Sequence, residues 1–199
     1  MNSYATRVLP PTLGDRLQQT RGLARRPSTL GDLTRTLDLA GELSAETPTL
    51  DASTLCSTGP SRHELLIGGE TRFTHCVLDA LMLPIIEQAS GVVRSTSPLS
   101  GTIVELRVDP NQAQANPPGA VVSFGMLRES SGTVYETTCP YINIFASLSE
   151  YERWVEASPE AITISMPVAE AFDFGRDLVK RRDPSDGHDA GPRVDAPAR

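Results

Sequence analysis

The chain has 199 residues and a mass of 21.4 kDa, and 39% of its residues are hydrophobic. This is enough apolar material for one ordinary domain, or for a compact domain with a small appendage. Acidic residues outnumber basic ones by 25 to 18, which gives a net charge of −7. Because proteins that bind phosphate backbones normally present a basic surface, this charge argues against nucleic-acid binding.

The chain also lacks the patterns that direct a protein to a membrane. Its N-terminus has no apolar run of about 7–15 residues such as a secretory signal carries, and no stretch reaches the roughly 18 apolar residues that cross a bilayer. We therefore expect a cytoplasmic protein without membrane contact. In a reducing compartment the three cysteines, Cys56, Cys76 and Cys139, are expected to be reactive thiols, ligands or inert core residues.

Residues 1–60 are irregular in sequence and rich in Pro, Thr and Leu. They contain two helical candidates, Leu13–Leu23 and Ser28–Leu39, the second with leucines at helical spacing. Residues 1–35 carry six Arg and two Asp, so a transit peptide or a DNA-contacting module is an alternative to the more usual amphipathic helix with a solvated Arg face. We predict a small helical N-terminal segment over residues 1–60.

From Phe73 onward the pattern indicates an α+β fold. Phe73–Gln88 is apolar on most sides, as in a buried helix that Pro84 would kink or end. We then predict a mostly antiparallel or mixed sheet with packed helices, built from strands Thr102–Val108, Ala120–Leu127, Thr133–Thr138, Tyr141–Ala146 and Ile162–Met166 and from helices Leu148–Ala157 and Pro167–Leu178. A capping box of Ser147 and Glu150 would open the first of these helices. Residues 61–180 are thus predicted to form the main domain, and the polar residues 181–199 a disordered tail.

Asp79 is the most informative residue of the chain, because it lies within an otherwise apolar helix candidate. A buried carboxylate is costly unless it has a partner or a task. On a helix, the i, i+3 spacing would place the Asp79 carboxylate on the same face as the Cys76 thiol. The ordinary alternative is a buried cap, or a partner for an arginine such as Arg72 or Arg94.

The remaining candidates carry weaker signals. Cys139 follows Cys76 by 63 positions, so spacing alone does not bring the two thiols together, and each is more often a small buried hydrophobe. Cys56 lies in a polar stretch and is expected to be incidental. His75 should diverge from the face of Cys76. The two other histidines, which we expect in a loop and in the tail, form no zinc motif; they are His63 and His188.

In context, the region from about Phe73 to Leu178 resembles the organomercurial lyase (alkylmercury lyase) family. The matching stretches are HCVLDALMLPII, SPLSGTIVELRVDP and the block that begins at TCPYINIFAS and ends at EAFDFGRDL. They occur in the family's order, and the Cys-x-x-Asp segment followed by a distant Cys is far more specific in such flanks than it is alone. The resemblance implies that residues 61–180 are the catalytic domain and that residues 1–60 correspond to a reduced winged-helix-like module.

The resemblance also implies a chemistry for Cys76, Asp79 and Cys139, the catalytic and metal-binding residues. Two thiolates capture R–Hg⁺, and the aspartate delivers a proton so that R–H leaves and Hg(II) remains bound. Soft metals prefer thiolates, and a shielded carboxylate can carry a proton near neutral pH. The implied enzyme needs no cofactor. Its partners would be an organomercurial substrate and, for release of Hg(II), low-molecular-weight thiols or a mercuric reductase, with no nucleic acid or membrane.

The chain departs from the family pattern at three positions. Pro140 and Ser97 stand where the family often has further cysteines, and His75 stands where an aromatic residue is common. Because these are not the implied catalytic positions, we expect altered stability or Hg(II) transfer rather than lost activity. Two other functions stay open at this point: a non-catalytic thiolate protein that binds a soft metal such as Hg or Cu, and a regulator that binds DNA through residues 1–60.

Overall fold

The computed structural model describes residues 3–37, 52–129 and 132–179. In these ranges the chain forms seven α-helices, which are α1 Pro11–Arg21, α2 Leu30–Thr36, α3 Ala52–Leu55, α4 Val77–Glu87, α5 Val134–Thr137, α6 Leu148–Ala157 and α7 Val168–Val179. It also forms eight strands, which are β1 His63–Ile67, β2 Glu70–Phe73, β3 Gly91–Thr96, β4 Ile103–Asp109, β5 Gln112–Asn116, β6 Val121–Leu127, β7 Ile144–Phe145 and β8 Ala161–Pro167. The predicted α+β class is confirmed.

Two N-terminal helices form close to the predicted positions: α1 is shifted by two residues toward the N-terminus, and α2 is shorter than predicted. Pro10 and Pro11 begin α1, and Gly22, in the left-handed region at φ 60°, ends it. Thr29 and Asp32 form a capping box that opens α2. Leucines of both helices are buried in the same core as the rest of the chain, namely Leu13, Leu17, Leu30 and Leu33. The proposed boundary at residue 60 and the likeness to a winged helix stay predictions.

The larger sheet is antiparallel and has the strand order β2-β1-β3-β4-β5. The sequence analysis missed β1, β2, β3 and β5, although β1 and β2 carry a recognisable hairpin signal. Gly68 and Gly69 join them with φ values of 59° and 82°, the backbone conformation that two-residue hairpin turns require and that glycine adopts without steric cost. Alternate residues of β1 point into the core, so its buried side chains are His63, Leu65 and Ile67.

The smaller sheet has the order β7-β6-β8 and is also antiparallel. Two predicted strands were wrong here. The segment predicted as strand Thr133–Thr138 is the helical turn α5, because Thr133 and Glu136 form a capping box. The segment predicted as Tyr141–Ala146 keeps only the two residues of β7, since a 3₁₀ turn at Cys139–Tyr141 precedes it.

Helix α4 packs against the larger sheet and against α7. It begins at Val77 rather than at Phe73, because residues up to Phe73 belong to β2. Pro84 lies within α4, which ends one turn later at Glu87, as expected for a residue that removes one backbone donor. Trp154 of α6 packs against the smaller sheet in a cluster with Val121, Phe145 and Tyr151.

Helix α6 has the predicted bounds, and Ser147 caps it by accepting the N–H of Glu150 at 3.2 Å. The Glu150 carboxylate accepts the N–H of Ala146 instead of that of Ser147. The last helix begins at Val168, one residue after the predicted Pro167. The predicted tail, residues 181–199, lies outside the described residues. Within the described ranges, no helix has the length and apolar character that spanning a membrane requires.

Gly125 permits the close pairing of β6 with β8, where it faces Thr163. An added Cβ would lie 2.1 Å from the Ile162 carbonyl oxygen and 2.6 Å from the Thr163 Cα. Since both atoms belong to the backbone, Gly125→Ala should lower the free energy of unfolding by about 1–3 kcal/mol or more. Urea denaturation measures this change. Gly119→Ala is the control, because no atom lies within 4 Å of its added Cβ; equal losses in the two variants would contradict the packing argument.

Candidate active site

Three side chains that the sequence analysis selected lie together in the structure. The sulfurs of Cys76 and Cys139 and a carboxylate oxygen of Asp79 are all within 4.8 Å of one another. Their residues are 2%, 6% and 7% exposed, respectively. Metal–thiolate bonds are about 2.3 Å long for zinc, so two sulfurs at this separation can bind one soft ion without a large rearrangement.

Cys76 and Asp79 meet through the start of α4. Cys76 is the N-cap residue, in an extended conformation with φ −147° and ψ 170°, and Asp79 is the N3 residue of a capping box. Oδ2 of Asp79 accepts the N–H of Cys76 at 3.0 Å. The proximity was predicted from side-chain stacking on a helix face, and this reason was wrong, because Cys76 precedes the first turn. The ordinary alternative considered for Asp79, a buried cap, is present, because its carboxylate caps the N–H of Cys76.

Cys139 reaches the cluster on the 3₁₀ turn that follows α5, and not at the end of a strand as predicted. The N–H of Val77 donates to the Ile142 carbonyl at 3.3 Å and joins this turn to the start of α4. The side-chain amide of Asn143 donates to the Pro140 carbonyl at 2.7 Å, and this hydrogen bond also stabilises the turn. Backbone contacts between segments distant in sequence therefore bring the two sulfurs together.

Burial dominates the electrostatics of the Asp79 carboxyl. It raises the pKa of Asp79 from 3.8 to about 7, against the opposing effect of hydrogen bonds from the Cys76 side chain and backbone. The alternative of an arginine partner is not found at Arg72, which pairs with Glu87 and Glu70 instead. No salt bridge to Asp79 is found within the described ranges. A carboxyl of this kind holds a proton in neutral solution and can deliver it.

Burial also raises the pKa of the Cys76 thiol well above its ordinary value, and the hydrogen bond with Cys139 and the Asp79 charge add to this effect. The metal-free thiol is therefore protonated at neutral pH. A soft metal ion stabilises the thiolate strongly and displaces that proton. The arrangement thus suits metal capture rather than attack by a free thiolate, whose reactivity would require a lowered pKa.

A cavity of about 70 Å³ adjoins the three residues. Its lining is mostly apolar and comes from helices and strands that span the described chain, among them Leu17, Leu33, Leu78, Met82, Phe124 and Phe174. Arg21 of α1 also lines it and donates to Oγ1 of Thr138, 117 positions away in sequence, at 3.3 Å. No local motif marks Leu17, Leu33 or Arg21 as site residues, because only the folded chain brings them here.

Tyr135 and His75 stand beside the cluster. Their rings lie 4.4 Å apart between centroids, and the Tyr135 hydroxyl donates to the Thr54 carbonyl at 3.1 Å. Burial is the main cause that raises the pKa of Tyr135, and the charges of Cys139 and Asp79 contribute. His75 is half-buried and contacts the aromatic wall.

The other candidate residues lie outside the cluster. Cys56 is half-buried and pairs with Thr74 in an isolated β-bridge. His63 was expected in a loop but is buried on β1, where its Nδ1 lies 2.6 Å from the Ser95 hydroxyl. Ser97 donates to Glu150 at 2.6 Å. His188 lies outside the described residues.

Comparison with known proteins identifies the family of this chain. The family model described as MerB, alkylmercury lyase, matches residues 56–180. The chain belongs to the alkylmercury lyase family. The matched region includes Cys76, Asp79 and Cys139, whereas α1 and α2, which help to line the cavity, precede it.

Individual relatives are more distant. An alkylmercury lyase of Streptomyces lividans is 29% identical over 121 residues, which cover 61% of this chain and 55% of the relative. One of Staphylococcus epidermidis is 29% identical over 128 residues, 63% of this chain and 57% of the relative. The chain thus spans a little over half the length of these curated relatives. The crystal structure of the mercury-bound form of MerB2 shares the fold, with a TM-score of 0.55 and 23% identity over 63% of this chain and 61% of that one.

The raised pKa of Asp79 predicts how stability depends on pH. Because the folded protein holds this proton more tightly than the unfolded chain, the stabilisation is complete below about pH 4 and is lost as pH rises through about 7. At about 1.4 kcal/mol per pKa unit, the loss is roughly 4 kcal/mol. Asp79→Asn keeps an oxygen that can cap Cys76 but does not titrate.

Urea denaturation of the metal-free proteins at pH 4 and pH 8 tests this prediction. The parent should lose more free energy of unfolding between the two pH values than Asp79→Asn does. An identical change in both proteins would show that Asp79 titrates at its ordinary pKa.

Proposed function

We propose that this protein cleaves carbon–mercury bonds by protonolysis, with Cys76 and Cys139 as mercury ligands and Asp79 as the proton donor. The observation that carries the proposal is the juxtaposition of two buried thiols with a buried carboxyl whose pKa is raised to about 7. Membership of the alkylmercury lyase family supports the same reaction class. The residue roles follow from the chemistry of the three side chains.

Capture comes first. The two thiols bind the mercury of R–Hg⁺ and release their protons, which forms R–Hg(SCys)₂⁻. Thiolate is the preferred ligand of a soft ion. Because thiolates donate electron density to the metal, the second one weakens the bond between mercury and carbon.

Cleavage follows by proton transfer. The Asp79 carboxyl gives its proton to the carbon bound to mercury, the Hg–C bond breaks, and R–H leaves together with Hg(SCys)₂ and the Asp79 carboxylate. Net charge is conserved at −1 on both sides. A buried acid with a pKa near 7 suits this step, because a substantial fraction of it is protonated at neutral pH and it still gives up its proton. The apolar lining of the cavity disfavours water beside the reacting bond.

The proposal includes a path for the product. Two external thiols, or the thiols of a mercuric reductase, take Hg(II) from the cysteines, and Asp79 regains a proton from solvent. A reducing compartment such as the cytoplasm fits this cycle, because Cys76 and Cys139 must remain thiols between turnovers.

A purified-protein assay separates capture from cleavage. With methylmercury and excess thiol, headspace gas chromatography measures methane, and mercury analysis after gel filtration measures bound metal. Cys76→Ser or Cys139→Ser should abolish both, since a hydroxyl is a poor ligand for a soft ion. Asp79→Asn should retain capture while methane release falls by about 10²-fold or more, the usual scale for a positioned acid.

The Cys56→Ser variant is the matched control, because it removes a half-buried thiol outside the cluster. Its turnover should stay within a few-fold of the parent. Capture without methane in the parent itself would support the alternative of a non-catalytic thiolate protein for soft metals. Methane release by Asp79→Asn at the parental rate would assign the proton to another group.

Cavity size predicts which organic groups fit. The cavity of about 70 Å³ is smaller than the roughly 150 Å³ engineered cavity that holds benzene. Enlarging it with Leu33→Ala should therefore raise kcat/KM for phenylmercury relative to methylmercury by several-fold. Leu30→Ala is the control, because Leu30 is equally buried on α2 and does not line the cavity. The same change of ratio in both variants would contradict the assignment of this cavity to the organic group.

A further inference from the structure

A second cavity lies beside Cys139 and has a different character from the first. Its volume is about 340 Å³, and its lining includes Arg62, His75, Pro140 and Asn143. Arg62 and Pro140 are exposed, so this cavity opens to solvent. It falls within the size range of about 300–1,000 Å³ of small-molecule sites.

Among the residues that the structure describes, Cys139 alone lines both cavities. Cys76 and Asp79 line the apolar cavity and are not among the described residues that line the polar one. Mercury held by the two sulfurs would therefore have an apolar wall on one side, and on the side of Cys139 a polar opening wide enough for a small molecule. A polar thiol loses less hydration when it approaches through the polar opening than when it approaches through the apolar cavity.

The polar cavity also has a definite charge. The described residues that line it include no Asp or Glu. Burial, with a smaller contribution from the Arg62 charge, lowers the pKa of His63 to about 3, so this histidine is neutral at pH 7. Arg62 is the one arginine or lysine among the described lining residues, and an anionic group is the ligand that its charge favours.

We propose that the cavity formed by Ser61, Arg62, His75, Pro140 and Asn143 binds the thiol that removes Hg(II) from Cys139, and that Arg62 favours thiols bearing a carboxylate. This inference rests on the proposed function and adds to it the site and the chemical class of the acceptor. The sum of the exchange is Hg(SCys)₂ + 2 R′SH → Hg(SR′)₂ + 2 CysSH. Two Hg–S bonds form, two break, and the thiol protons pass to Cys76 and Cys139 without oxidation or reduction.

The test starts from protein loaded with one equivalent of Hg(II) and therefore does not depend on cleavage. Removal of mercury is followed by the loss of mercury–thiolate absorption in the ultraviolet, using thioglycolate, 2-mercaptoethanol and cysteamine as anionic, neutral and cationic thiols. For each thiol the rate with a variant is divided by the rate with the parent, so that the reactivity of the thiol itself cancels.

Arg62→Gln should slow removal by thioglycolate by about threefold, a typical effect of one exposed charge, and should leave removal by 2-mercaptoethanol unchanged. Arg62→Glu should slow thioglycolate further and speed cysteamine. The matched control is Arg153→Gln, which removes an exposed arginine of α6 that lines neither cavity. It should change none of the three rates.

The outcomes separate this inference from the proposed function. Rates that fall equally for all three thiols, or an equal effect of Arg153→Gln, would overturn the acceptor site while leaving cleavage untouched. Failure of the parent to retain Hg(II) would overturn mercury capture, and the acceptor site with it. An inversion of the preference between anionic and cationic thiols in Arg62→Glu supports the site directly.

Discussion

The hydrogen bond from the Cys76 N–H to the Asp79 carboxylate joins the fold of this protein to its chemistry. It fixes the start of α4 and holds the carboxyl beside a thiol at a position where Asp79 is only 7% exposed. As a cap it favours the charged form of Asp79, whereas burial favours the neutral form, and burial prevails. The same residue is therefore both a structural cap and an acid with a pKa near neutrality.

The site is complete only because distant segments pack around that helix start. Cys139 arrives on a 3₁₀ turn tied to Val77 through the Ile142 carbonyl. Leu17 and Leu33 close the apolar cavity from helices that precede the region matched by the family model. The N-terminal helices therefore help to shape the space available to a substrate, while the residues proposed for chemistry lie in the family region.

Much of the sequence reading rests on local signals, and it succeeded where those signals were strong. The Ser147 cap predicted α6 with its correct bounds, and the apolar character of Phe73–Gln88 predicted α4, which begins four residues later than expected. The prediction of a strand at Thr133–Thr138 was wrong. It followed the strand propensity of the β-branched residues, whereas in the structure the Thr133–Glu136 capping box makes this segment helical. The Gly68–Gly69 hairpin was equally local and was overlooked.

Other features could not be read from local pattern. Bringing Cys139 to Cys76 depends on contacts across 63 positions, and only the family resemblance indicated that the two thiols belong together. Arg21 and Arg62 carry no motif, and their places beside the cavities follow from tertiary packing. The raised pKa of Asp79 likewise depends on burial by residues far away in sequence. Propensity and spacing therefore indicate candidates, and the folded environment determines their chemistry.

The central claim is that Asp79 holds a proton near neutral pH, and the carbon-13 resonance of its carboxyl tests this most directly. The protein would be labelled at aspartate and titrated without metal, with the signal assigned by its absence in Asp79→Asn. The account predicts a midpoint of about 7. A midpoint near 4, the ordinary value for aspartate, would contradict it.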